Sequence, residues 1–271
     1  MFRERGIEIK TPEQVDKMRA AGLVVGETLE LLRASVRAGM TTADLDAVAE
    51  ENIRANGAVP SFKGYHGFPA SICVSVNDEV VHGIPGERVI ADGDVVSIDC
   101  GAILDGWHGD AAITVAVGDV PTAATELMRV TEEAMWRGIA AARLGGRVTD
   151  ISHAVEHYVR SQGDYGIVED YVGHGIGTEM HQPPSVPNYG RAGKGPKLVR
   201  GLALAVEPMI VLGDHNTHVL DDDWTVKSDD GSLAAHFENT FTLTPDGPWV
   251  LTAIDGGKAK LTELGAPFGG P

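Results

Sequence analysis

SIDCGAILDGWHGDAAIT, residues 97–114, places two aspartates inside what otherwise reads as a pair of apolar strands. An unpaired carboxylate in such a setting costs several kcal/mol or stays protonated. Asp105-Gly106 is a strong signal for a two-residue hairpin turn. If those residues form the turn, Leu104 pairs with Trp107 and Gly101 stands opposite Asp110. Opposed residues share a face, as do residues two apart on one strand, so Asp99 and Asp110 become diagonal neighbours roughly 7–8 Å apart at the backbone. Gly101 brings no side chain to fill the space between them. Two like charges so close require protonation of one or a cation between them. A one-residue slip in register would remove the argument, and two solvated aspartates would need a wet hairpin face.

Around this hairpin the pattern alternates between helices and strands. Thr11-Pro12-Glu13-Gln14 carries a capping threonine, a proline at the first helical position and a glutamine three residues after the cap. That helix is expected to run to about residue 38 and stop at Gly39, with a second over 43–56 closed by Gly57. Strands are expected over 70–76, 79–82, 94–102 and 107–116, then helices over 121–143 and 149–162. With an offset of 106, Gly39, Asp44, Leu45, Glu50, Ile53, Arg54 and Gly57 match Gly145, Asp150, Ile151, Glu156, Val159, Arg160 and Gly163. The chain therefore reads as a divergent repeat of two helices followed by strands, with halves at about 11–118 and 119–245. That is an α+β fold with a sheet covered on one face and a site between the halves. Residues 186–201 and the acidic stretch 221–232 read as loops, and 264–271 as a mobile tail.

Composition bounds the function. The 271 residues carry a formal net charge of −17, which argues against nucleic acid or an anionic membrane as the main partner. No window approaches eighteen apolar residues, and the start MFRERGIEIK lacks a signal-peptide core, so a cytoplasmic protein is expected. Cys73 and Cys100 are too few for a disulfide framework or a Cys-rich zinc site.

Three more segments carry anomalies like that at Asp99. GHGIGTEMHQPP (173–184) holds His174 and His181, LALAVEPMI (202–210) sets Glu207 in an apolar run, and AAHFENTFTLT (234–244) does the same with Glu238. Each alone has an ordinary explanation: a loop histidine, or a glutamate facing water. Asp99, Asp110, His174, Glu207 and Glu238 together make four carboxylates and one imidazole, a set suited to two divalent ions such as Mn, Fe, Co or Zn. His153-Ala-Val-Glu156-His157 also matches an H-x-x-E-H zinc signature. Ile151, Ala154, Val155, Tyr158 and Val159 form the apolar stripe of that helix, however, which leaves the histidines on a solvated face.

GYHGFP (64–69), NDEVVHGIP (77–85), the opening stretch, GHGIGTEMHQPPSVPNYG (173–190), AVEPMI (205–210) and HFENTFTLT (236–244) together resemble type I methionine aminopeptidases of the short bacterial class, over nearly the whole chain. The resemblance implies a single catalytic domain with the pita-bread fold of the M24 enzymes. It implies removal of initiator methionine from nascent proteins, with a small second residue preferred, through a hydroxide bridging two divalent ions (Co, Mn, Fe or Zn). By the same resemblance Asp99, Asp110, His174, Glu207 and Glu238 are the metal ligands, with Asp110 and Glu238 bridging. His82, His181 and Glu207 are then catalytic, and Tyr65, Phe68, Cys73 and Trp224 join the two histidines in binding substrate. Phe62 and Met180 depart from the residues common in the family. A monomer is expected, with the ribosome as a candidate docking partner. The rivals are a Xaa-Pro aminopeptidase or prolidase of the same fold, which would carry an extra N-terminal domain, and a non-catalytic binding protein, which should have lost ligands.

Overall fold

The computed structural model describes residues 6–271. The opening stretch forms a hairpin of two ten-residue strands, Val95–Leu104 and Trp107–Ala116, in the expected register: Leu104 opposite Trp107 and Gly101 opposite Asp110. Asp105 (φ 50°) and Gly106 (φ 79°) both take positive φ, as a tight twisted hairpin turn requires. Alternation then sorts the side chains. Val96, Ile98, Cys100, Ala111, Ile113 and Val115 enter the main apolar core beneath the helices. Ser97, Asp99, Gly101, Asp110, Ala112 and Thr114 belong to the opposite face.

Gly101 is bare for a different neighbour than expected. A Cβ there would stand 2.7 Å from Phe62 Cε1 and 2.9 Å from Ser61 Cβ, so the glycine admits the 61–62 segment against the hairpin.

Four helices back the sheet: α1 (Pro12–Ser35), α2 (Thr42–Ala55), α3 (Thr122–Ala141) and α4 (Val148–Gln162). Thr11 and Gln14 form the expected capping box. Helix α1 ends three residues earlier than its sequence suggests, because Val36 turns extended and the chain pairs onward, with the Gly39 N–H donating to the Ile90 carbonyl. The nine-stranded antiparallel sheet runs Val59–Pro60, Val95–Leu104, Trp107–Ala116, Glu238–Thr244, Ala203–Val206, Gly173–Gly175, Gln182–Val186, with Ile72–Val76 and Gly247–Val250 pairing to the side. The halves join at its centre, where Glu238 pairs with Ala112 and Asn239 with Ala111.

The repeat is visible in the connections. The Gly145 N–H donates to Leu198 O at 2.8 Å as Gly39 does to Ile90 O. Asp44 and Asp150 both reach back to the backbone N–H of their helix N-caps, Thr41 and Arg147, at 2.7 and 2.8 Å. Helices α1 and α3 each carry a threonine, Thr28 and Thr131, bonded back to the carbonyl four residues earlier.

Two segments differ from expectation. Within 221–232, Val226–Ser228 is a strand joining Thr217–Val219 to Glu79–Val81, because Val226 and Ser228 are buried while the flanking acids meet water. Residues 264–271 lie against the body: the Gly269 N–H donates to Pro248 O, Thr244 Oγ1 donates to Gly269 O, and Ala266 and Phe268 pack on the core.

Candidate metal centre

The five expected ligands converge on the sheet face away from the helices, each held by a different local device. Asp99 and Asp110 come from the hairpin, and Glu238 opens the strand beside it. His174 lies in a short strand between glycines whose added Cβ atoms would strike the backbone of Ala205 and Pro183. Glu207 follows Ala203–Val206, and its carbonyl accepts from Asn188 Nδ2 at 3.2 Å.

His174 Nε2 is 3.4 Å from Glu207 Oε1 and 4.0 Å from both Asp110 Oδ2 and Glu238 Oε1. Its Nδ1 is 3.0 Å from the Gly175 carbonyl, which can only accept. The proton therefore sits on Nδ1, and the Nε2 lone pair faces the carboxylates, the tautomer a metal ligand needs. Two donor trios have atoms all within 4.8 Å of one another: Asp110, His174 and Glu238, and Glu207, His236 and Glu238.

The electrostatics are costly without a cation. Asp110 and Glu238 are 3% exposed, and Asp99 Oδ1, Asp110 Oδ1 and Glu238 Oε1 are enclosed with no hydrogen-bond partner. Burial pushes Asp99 up to about 7. Burial, then repulsion among the neighbouring carboxylates, drives Asp110, Glu207 and Glu238 well above the usual carboxylate range. Burial holds His174 at about 3, so it supplies no positive charge. Orphaned acceptors and a neutral imidazole around one point fit divalent cations of the oxygen- and nitrogen-preferring kind. The inverzincin-like trio on α4 does not converge this way: His153 and His157 are exposed, and Glu156 Oε2 accepts from the Gly190 N–H.

The carboxylates line an open cleft. His82 and His181 stand on its walls with Tyr65, Phe68, Cys73 and Trp224. The His181 ring lies 4.4 Å from that of His174, and its Nδ1 pairs with the Tyr65 hydroxyl at 2.8 Å. His82 holds a positive φ of 61° and packs edge-on to Tyr171. Phe62, Phe68, Ala70, Cys73 and Met180, flanked by Tyr65 and Trp224, make a separate apolar cluster at one end of the cleft. Phe62 and Met180 thus stand in the same wall as the expected pocket residues.

Among the lining residues not singled out from sequence are Tyr171 and His236. Tyr171 sits in a segment with no pattern to mark it. His236 had a readable signal: it lies two residues before Glu238 and so shares its side of an alternating strand.

Residues 16–245 match the profile of metallopeptidase family M24. A methionine aminopeptidase of Clostridium acetobutylicum is 54% identical over 250 residues, covering 92% of this chain and 100% of that protein. Methionine aminopeptidase 1 of Mycobacterium tuberculosis is 51% identical over 254 residues, covering 92% and 96%. Among solved structures, the methionine aminopeptidase of Rickettsia prowazekii superimposes with a TM-score of 0.89 at 42% identity, over 91% of this chain and 99% of that one. Prolidase from Pyrococcus furiosus shares the fold at 23% identity and a TM-score of 0.73, over 90% of this chain and 65% of that one.

Proposed function

The chain belongs to metallopeptidase family M24 and has its pita-bread fold, and from that membership we propose that it is a methionine aminopeptidase hydrolysing the first peptide bond of polypeptides that begin with methionine. The observation that carries the reading is the pairing of a five-ligand carboxylate–imidazole floor with an apolar, sulfur-lined pocket in one cleft. Neutral apolar walls and polarisable Cys73 and Met180 sulfurs suit a thioether side chain. A preference for a small second residue is carried over from the family resemblance.

Asp99, Asp110, His174, Glu207 and Glu238 would hold two divalent ions of the Co, Mn, Fe or Zn kind, with Asp110 and Glu238 shared, as befits carboxylates on either side of the central strand pair. When bound, such ions lower the pKa of water and draw charge from a carbonyl oxygen. Glu207 takes the proton of the attacking water and delivers it to the leaving nitrogen, general acid–base help worth roughly 10²–10⁴-fold. With the Tyr65 hydroxyl donating to its Nδ1, His181 keeps a proton on Nε2 to donate to the developing oxyanion. His82, held at about 4 by burial, is neutral and orients the scissile amide.

We take the chain as one catalytic domain working as a monomer, with nascent chains at the ribosome as its substrates. No helix among the described residues is long and apolar enough to cross a membrane. The test is hydrolysis of Met-Ala-Ser against a Xaa-Pro peptide, with EDTA and metal add-back. Metal-restored cleavage of Met-Ala-Ser is expected. Preference for Xaa-Pro would move the protein to the prolidases, and inactivity with every metal would make it a binding protein.

A further inference from the structure

We propose that His236 is a positioning residue for Glu207, its Nε2–H holding Glu207 Oε2 so that Oε1 alone turns to His174 and the metal. The proposal deepens the metal-centre reading and rests on it.

Sheet register brings the two residues together. Asn239 pairs with Val206 on one side of the site, and His236 pairs with Met209 on the other. The two pairs lie in different sheets but keep the same register across the break between them, which sets Glu207 opposite Glu238 and His236 two residues along on the same side. His236 Nε2 stands 3.7 Å from Glu207 Oε2, while His174 Nε2 stands 3.4 Å from Oε1. The two imidazoles divide the carboxylate between them.

His236 is 2% exposed, and its Nε2 is enclosed with no hydrogen-bond partner. A buried polar atom of that kind is rare unless something joins it. Its backbone is fixed at both ends by one hydroxyl: the His236 N–H donates to Thr114 Oγ1 at 2.9 Å, and Thr114 Oγ1 donates to the His236 carbonyl at 2.7 Å. Ser97 braces that hydroxyl in turn, 2.8 Å away. With the backbone held, a turn of the ring that shortens the gap by under about 1 Å completes the bond to Oε2. Among the described residues no other hydrogen bond reaches the Glu207 side chain. Carboxylates that bind metal are themselves hydrogen-bonded by neighbours, and losing such a neighbour costs affinity.

The test strips the full chain with EDTA and titrates it with Co²⁺ by calorimetry, with pulsed EPR of the Mn²⁺-loaded protein counting coordinated imidazole nitrogens. His236→Leu should weaken Co²⁺ binding about 10–100-fold, and His236→Gln, which keeps an N–H donor, should stay within about threefold of wild type. The nitrogen count should not change in either variant. Unaltered affinity in His236→Leu overturns the proposal, as does loss of one nitrogen coupling, which would make His236 a direct ligand. Circular dichroism of the metal-free proteins checks the fold. If the leucine variant does not fold, a folded glutamine variant weakened about tenfold or more overturns the proposal, and one that binds as wild type supports it. If instead wild type binds Co²⁺ yet leaves Met-Ala-Ser intact with every metal, it is the functional reading that fails.

Discussion

The two halves of the molecule deliver their shares of the site by different means. The first supplies Asp99 and Asp110 from one hairpin, with a two-residue turn fixing both positions. The second supplies His174, Glu207 and Glu238 from three separate segments, two strands and the residue that follows a third, that meet only when distant parts of the chain pair. Yet the backbone plan is common, down to Asp44 and Asp150 clasping their own helix starts. A repeated scaffold thus carries a local half-site beside a non-local one. The seam where Ala112 meets Glu238 is where the two become one centre.

If Asp110 and Glu238 are equivalent shared ligands, one from each half, then Asp110→Ala and Glu238→Ala should be equally severe. Each should cut Met-Ala-Ser turnover by at least roughly 10³-fold, several kcal/mol of transition-state stabilisation, and the double variant should be little worse. EDTA treatment of wild type should reach the same floor. Retention of activity by one single variant and not the other would break the equivalence. Next in size, Glu207→Gln should bind substrate and keep its fold but lose roughly 10²–10⁴-fold in kcat, as expected for a lost proton carrier. Near wild-type kcat in that variant would confine Glu207 to a structural role.

The contrast between the halves also explains what the sequence could reveal. Asp99 and Asp110 were readable as a pair because a short turn sets register without help from the rest of the chain. His174, Glu207 and Glu238 stood out as charges in apolar runs, but nothing local says that Glu207 lies opposite Glu238, about thirty positions away. His236 shares the side of Glu238 by local alternation, but its nearness to Glu207 depends on pairing with Met209 and was not readable. The Val226–Ser228 strand was hidden because three residues among acids carry no legible alternation. The tail over 264–271 was taken for mobile on composition, whereas Phe268 and Ala266 find a core that only tertiary structure supplies.

A stability measurement sharpens the local side of the comparison. Gly101→Ala inserts a methyl against Phe62 and Ser61, where the nearest atoms would be 2.7 and 2.9 Å away. Overpacking of this kind costs about 1–3 kcal/mol, to be read as a lower denaturant midpoint. Because the same shift presses on the pocket wall at Phe62, KM for Met-Ala-Ser should rise with it. An unchanged midpoint would mean that the 61–62 segment is loose rather than clamped.

The smallest effect is expected where the second half has something the first lacks. Helix α4 carries His153 and His157, while the matching positions of α2 are Ala47 and Glu51. The two rings stack with centroids 5.8 Å apart, an arrangement that resembles a metal pair but is also what an i, i+4 spacing produces on any helix surface. Both are exposed, and the intervening Glu156 is committed to the Gly190 N–H at 2.8 Å, so the acid the motif would need as a catalytic base is already engaged in holding a loop. Substitution at an exposed site free of such commitments lies within about 0.5 kcal/mol of neutral. His153→Ala should therefore leave the unfolding midpoint, the metal content and the turnover of Met-Ala-Ser unchanged, as measured by metal analysis and steady-state kinetics on one preparation. Loss of bound metal in that variant would move the chemistry onto α4 and leave the symmetry of the two halves without a functional meaning.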